Sequence, residues 1–350
     1  MNKISRLWAL VITISILALG AVVANSNSPS SAEGGCAGRA YVTNTVADTV
    51  SVINTATNLV VGSPIAVGIN PNGVAITPNG AFAYVTNGDD DTVSVISTTT
   101  NLVVGSPIAV GTGPYGVAIT PNGAFAYVTN VNSGTVSVID TATNAVVGSA
   151  ITVGDVPVGV AITPDGTKAY VTNVYSDTVS VINTATNSVV GSPITVGNQP
   201  PGVAITPNGA FAYVTNYADG TVSVIDTATN SVVGSPITVV HYPFGVAITP
   251  NGAFAYVTNR SSNNVSVIDT ATNLIVGSPI SVGTDPAGVA ITPDGAFAYV
   301  TNNLDDTVSV INTATNAVVG APILVGDGPG GVAICPAAVA PPAVVLKFTG

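Results

Sequence analysis

Reactive side chains are scarce in this sequence, and the few present limit the chemistry open to it. The single His, His241, sits in the segment His241-Tyr242-Pro243-Phe244. Aromatic residues recur in comparable segments at Tyr115, Tyr175 and Tyr217. Together with Tyr242 and Phe244 they offer area for stacking on a sugar or holding a peptide. Acidic residues run together at Asp89, Asp90, Asp91 and at Asp305, Asp306. Carboxylate oxygens suit a hard cation such as Ca²⁺, although no EF-hand or repeat-toxin spacing is present. The plainer role of such Asp is to cap turns and keep an apolar chain soluble. On that reading no cofactor is required, and Ca²⁺ is the one the pattern would admit. Acid–base or nucleophilic catalysis needs a tuned base, and beyond the N-terminal segment only His241, Lys168 and Lys347 are available. One His and two Cys also exclude c-type haem, zinc-finger and iron–sulfur patterns.

Composition narrows the class further. Of 350 residues, 47% are hydrophobic and only 7% charged, with Gly 37, Pro 24 and net charge −11. Six Lys+Arg residues give no electrostatic footprint for nucleic acid. So little charge argues against disorder, and frequent Gly and Pro argue against long helices.

The N-terminus reads as an address. Lys3 and Arg6 precede an apolar run from Leu7 to Val23 that ends Val22-Val23-Ala24. This pattern predicts a signal peptide over residues 1–24, cut after Ala24, with an uncleaved anchor as the alternative for so long a run. Residues 25–39 then form a polar linker. The expected location is secreted, periplasmic or cell surface, with no membrane span once the signal is removed. The mature chain keeps 4 basic and 17 acidic residues, 16 of the acids being Asp.

The elements that must position these side chains come from a repeat. Tyr-Val-Thr-Asn begins at Tyr41, Tyr84, Tyr127, Tyr170, Tyr213, Tyr256 and Tyr299, a period of 43 residues. Gly-Val-Ala-Ile recurs in step from Gly73 to Gly331. A period in the forties points to a propeller or a helical solenoid. Within one repeat, Gly73 to Thr77 is a β-type run closed by the turn Pro78-Asn79-Gly80. Phe82 to Asn87 is a second run, and Thr92 to Ile96 alternates as a half-buried strand does. Val103 to Val110 is a fourth, carrying a Pro that belongs on an edge. Four short strands per repeat and no helical period predict an all-β, seven-bladed β-propeller over residues 40–336, with the fourth strand at the rim and Gly-Val-Ala-Ile on the axis. Residues 337–350 are left as a C-terminal tail.

The chain enters the pattern at a second strand and leaves after a seventh first strand, so the termini must build one composite blade. Cys36 falls at the repeat position of Asn79, and Cys335 at that of Thr77. Residues i and i+2 lie within roughly 5–7 Å, and a disulfide accepts about 4.4–6.8 Å. The repeat geometry therefore predicts a Cys36–Cys335 bridge, permitted by an exported compartment.

Tyr-Val-Thr-Asn, followed by Thr-Val-Ser-Val-Ile-Asp-Thr-Ala-Thr-Asn and Gly-Val-Ala-Ile-Thr-Pro-Asp-Gly, resembles the YVTN family of β-propeller repeats over about residues 40–336. That resemblance implies the propeller fold and kinship with surface-layer-like and exported proteins. The wider group includes lactonase-like propellers and the haem domain of nitrite reductase. A lactonase-type reading would need metal-binding carboxylates near the axis, where only Asp155, Asp285 and Asp327 can approach. No Gly-Val-Ala-Ile segment holds an acid, His or Arg.

Comparison of the seven repeats separates two faces. One is monotonous, with Thr-Pro-Asn/Asp-Gly turns throughout. The other varies and gathers eleven Asp, opposed only by Arg260. The expected role is a non-catalytic interaction module that uses this variable face for a protein, glycan or cation. The alternatives are a lactonase-like metal-dependent hydrolase and a structural surface-layer component. The triplets Asn259-Arg260-Ser261 and Asn264-Val265-Ser266 also match the glycosylation pattern.

Overall fold

The computed structural model describes residues 36–337. The expected signal peptide, the linker up to residue 35 and nearly all of the tail lie outside the described residues. Seven antiparallel sheets follow one another around an axis, and the inner strands of neighbouring blades run side by side. One sheet joins the two ends of the chain: Leu59–Val60, Thr49–Asn54, Arg39–Asn44 and Pro329–Ile334. Its seam is an antiparallel ladder in which Ala40 faces Ile334 and Val42 faces Val332. The predicted seven-bladed propeller with a composite blade is therefore the fold, and Cys36 is bonded to Cys335 with Cα atoms 5.7 Å apart.

Two local expectations change. Thr92–Ser97 is not half-buried, because Val93 to Ile96 are buried on both faces of the sheet. Each blade is covered by a neighbour on either side. Ser94 is accommodated because its hydroxyl accepts a hydrogen bond from Asn87 Nδ2 at 2.9 Å. The fourth strand is not continuous from Val103 to Val110. Leu102–Val103 and Ile108–Ala109 pair separately with the third strand, and the residues between them loop out. Gly105 there takes φ +72°, and Pro107 has no N–H to give a ladder, so the rim strand breaks at this point.

The core lies between blades. Tyr84, Val93, Val95 and Ile108 of one blade pack on Ala126, Val128 and Ile139 of the next. Every residue of the Tyr-Val-Thr-Asn tetrad is absorbed by this stacking. The Tyr41 hydroxyl donates to Asn101 Oδ1 of the following blade at 2.7 Å, and the ring closes with Tyr299 on Asn58 at 2.5 Å. Val42 is buried. The Thr43 hydroxyl accepts the N–H of Gly331 and donates to the carbonyl of Asn72 in the next blade. Asn44 Nδ2 donates to Thr49 and Ser51 within its own blade. Glycine before the axial Val is forced by close approach, since a Cβ on Gly288 would stand 2.6 Å from the Gly330 carbonyl oxygen.

Candidate ligand-binding face and axial mouth

Two kinds of segment build the variable face: the four residues after each second strand and the linker leading into each inner strand. Most acidic residues there serve to lock these segments together across blades. Asp48 Oδ1 accepts the N–H of Asn70, Asp91 that of Gly113, Asp177 that of Gln199 and Asp306 that of Gly328, all at 2.8–2.9 Å. Asp90, Asp219 and Asp305 accept the preceding linker N–H, from Ile69, Asn198 and Thr284. Asp89 Oδ1 accepts from the Asn70 side chain at 3.3 Å. The candidate metal residues Asp89, Asp90, Asp91, Asp305 and Asp306 thus point at separate partners. Among the described residues, no three His, Cys, Asp or Glu side chains converge on a point that would hold a cation.

The aromatic candidates divide into three places. Tyr217 and Tyr242 stack with ring centroids 4.7 Å apart, and His241 lies 6.3 Å from Tyr242. Tyr115 and Phe244 line an axial cavity of about 370 Å³. Tyr175, 71% exposed, borders a separate depression with Asp177, Asn198 and Gln199.

The axial cavity is where the repeat pattern gives way. Each blade enters its inner strand through Pro-X-Gly-Val, and X is Asn72, Tyr115, Val158, Pro201, Phe244, Ala287 or Gly330. All seven line the cavity, with the ring of Val74, Val117 and their counterparts beneath. The backbone at X is fixed, because its carbonyl accepts the Thr hydroxyl of the preceding blade, as from Thr86 to Tyr115 and from Thr215 to Phe244. The scaffold therefore holds seven Cα positions constant and lets the side chain vary. Sequence reasoning named Tyr115 and Phe244 but not the ring. Aligning the residue before each Gly-Val-Ala-Ile would have found it.

Arg260 is the only ionisable side chain apart from Tyr115 among the residues lining this cavity. It follows the second strand directly and forms the first residue of a short 3-10 turn, Arg260–Ser262. Its Nε donates to Asp285 Oδ1 at 2.7 Å, and Nη2 pairs with Asp285 Oδ2. The guanidinium carbon stands 5.0 Å from the centre of the Phe244 ring, a cation–π arrangement. The Asp285 hydrogen bond holds the Arg260 pKa above its ordinary value against burial. Burial pushes the Tyr115 hydroxyl up, and the Arg260 charge opposes that rise. Of Asp155, Asp285 and Asp327, the three acids a lactonase-type centre would need, none lines the cavity, and Asp285 is engaged by Arg260. Both glycosylation triplets lie in packed structure: Asn259 is fully buried, and Asn264 is half-buried within a strand.

A family model described as "Lactonase, 7-bladed beta-propeller" matches residues 243–319. A search of curated proteins found no match. Among solved structures, a chain of Kuenenia stuttgartiensis hydrazine synthase is 26% identical, covering 83% of this chain and 99% of its own, with a TM-score of 0.72. A functionally unknown protein from Desulfotomaculum acetoxidans is 19% identical over 86% of this chain and 100% of its own, TM-score 0.75. A "putative 6-phosphogluconolactonase" from Bacteroides uniformis is 18% identical over 84% and 98%, TM-score 0.71. At such identities the last two establish the propeller fold alone.

Proposed function

We propose that this chain is an exported propeller-based binding module whose ligand enters the axial mouth on the variable face. The observation that supports this reading is the ring of seven different residues, Asn72 to Gly330, held on an otherwise repeated backbone around one cavity. Loops on a rigid scaffold are where recognition is placed. The Cys36–Cys335 bond is in keeping with an oxidising compartment, and no helix among the described residues is long and apolar enough to cross a membrane. Val158→Trp tests the mouth. The same ring position already carries Tyr in the neighbouring blade, so a large aromatic is tolerated there, and it would fill the cavity. In a thermal-shift screen of small molecules and glycans, ligands are expected to raise the Tm of the wild type but not of this variant. Equal shifts in both would remove the axial mouth as the site.

A second reading, a lactonase-like hydrolase, is favoured by the family-model match over residues 243–319 and by the neighbour from Bacteroides uniformis. Beside Asp155, Asp285 and Asp327, the acids a metal-dependent centre would use, the face offers one base, His241, next to Tyr242. Hydrolysis of gluconolactone and 6-phosphogluconolactone, abolished by His241→Ala, would establish it. Rates equal to buffer in the wild type would exclude it for these lactones.

A further inference from the structure

The chemistry of the cavity wall narrows the ligand class, an inference that rests on the axial-mouth reading. Asp285 engages Nε and Nη2 of Arg260, and Nη1 makes no hydrogen bond among the described residues. The Tyr115 hydroxyl also has no hydrogen-bond partner there, and its side chain lines the same cavity as Arg260. Two donors, one of them cationic, are thus left at a wall whose apolar part is Phe244, Pro201, Ala287 and a ring of Val, and whose polar part is Thr45, Asn70, Asn72 and Asn303. The amides at the rim are committed, Asn72 Nδ2 to the Asn70 carbonyl and Asn303 Nδ2 to that of Pro329. Asp285 and Phe244 hold the guanidinium plane in place, so little side-chain freedom remains to be lost on binding. No carboxylate lines the cavity itself, and the one paired with Arg260, Asp285, holds Nε and Nη2 and leaves Nη1 free of a hydrogen bond among the described residues.

We propose that the axial mouth receives a small aromatic carboxylate, its anionic group on Arg260 Nη1 and the Tyr115 hydroxyl and its apolar body against Phe244 and the ring of Val. A cavity of about 370 Å³ admits a molecule of this size. A charge-assisted hydrogen bond from a fixed guanidinium is roughly twice as strong as a neutral one, so the acid outbinds its own amide.

Phenylacetate and phenylacetamide, titrated calorimetrically into the full mature protein, separate the possibilities. The acid is expected to bind at least ~10-fold more tightly than the amide, and Arg260→Gln to abolish that preference. Tyr115→Phe removes only the hydroxyl and is expected to reduce the preference several-fold, which covers the case in which Arg260→Gln does not fold. Equal affinity for acid and amide, a preference unchanged in Tyr115→Phe, or no binding of either probe at millimolar concentration overturns the carboxylate assignment. Val158→Trp keeps this failure distinct from that of the mouth itself. If acid and amide bind equally and both are blocked by Val158→Trp, the class is wrong and the site stands. If neither is blocked, the site is wrong as well.

Discussion

Cys36 and Cys335 stand in the composite blade where each of the other six blades carries a hydrogen bond from a Thr hydroxyl to an Asn or Asp side chain. The pair Thr77 and Asn79, bonded at 2.7 Å, is the equivalent in the next blade. The covalent bond replaces that contact at the one seam where the chain is discontinuous. For a loop closing 299 residues, chain-entropy bookkeeping gives about 5–6 kcal/mol as an upper figure. Cys36→Ser/Cys335→Ser is therefore expected to lower the urea midpoint sharply, and wild type in reductant to fall to the same level. Cys36→Asn/Cys335→Thr restores the contact of the other blades and should recover about 1 kcal/mol over the double Ser variant. Identical midpoints for the two double variants would show that the turn hydrogen bond contributes nothing at the seam.

The latching tyrosines predict an alkaline limit. Burial pushes the hydroxyls of Tyr84, Tyr127, Tyr170, Tyr213, Tyr256 and Tyr299 up to about 12 from the ordinary 10.0. A raised folded pKa favours the neutral form in the fold. Its stabilising effect is complete below pH 10 and is lost as pH rises toward 12. Across that window each such tyrosine removes about 1.4 kcal/mol of stability per pH unit, so the transition should be steep. Absorbance at 295 nm and circular dichroism should move together between pH 10 and 12, with several protons released per unfolding event. Ionisation of these tyrosines well before loss of the β signal would refute the latch.

The scaffold was legible because its signals are local and repeated. Turn residues, strand alternation and the 43-residue period each recur seven times, and the offset of Cys36 and Cys335 within that period located the seam. The double-sided burial of Thr92–Ser97 was not legible, since alternation in one strand does not report the blades that cover both its faces. Asp89 to Asp91 could be recognised as acidic, yet their partners Ile69, Asn70 and Gly113 come from linkers 19–22 residues away. The junction of Arg260 with Phe244 and Asp285, across the cavity that Tyr115 also lines, draws on different blades and carries no spacing signature.

Backbone strain at one linker position makes a stability prediction. The residue before each linker Pro adopts the left-handed conformation in all seven blades: Asn70, Gly113, Asp285 and Gly328 suit it, Gln199 and Tyr242 suit it less, and the β-branched Val156 at φ 55° suits it least. A β-branched side chain in that region costs roughly 1–2 kcal/mol, which Asn largely avoids. Val156→Asn should therefore raise stability by about 1 kcal/mol in urea denaturation. A destabilised Val156→Asn would mean that packing of the Val side chain outweighs its backbone strain.

The linker from Val240 to Phe244 combines three unfavourable features. Five blades place a Gly N–H on the Oδ1 of the buried Asn ending a second strand, as Gly68 does on Asn87 at 3.1 Å. That approach leaves no room for a side chain, since a Cβ on Gly68 would lie 2.6 Å from Asn87 Cγ. Val240 takes the corresponding place opposite Asn259, whose Oδ1 is left buried without a partner among the described residues, as is that of Asn130, opposite which the Gly111 N–H turns to Ser137. Tyr242, two residues on, is held at φ 59° and stacked on Tyr217. Unsatisfied polar atoms and left-handed bulky residues each cost of order 1–3 kcal/mol, and they collect where function overrides stability. Val240→Gly is expected to return the N–H to Asn259 and to stabilise the fold by about 1 kcal/mol, a gain reduced by the added freedom of Gly in the unfolded chain. The same substitution should move the His241–Phe244 linker and weaken ligand binding at the axial mouth. Gains in both stability and affinity would mean that the strained linker does not serve the site.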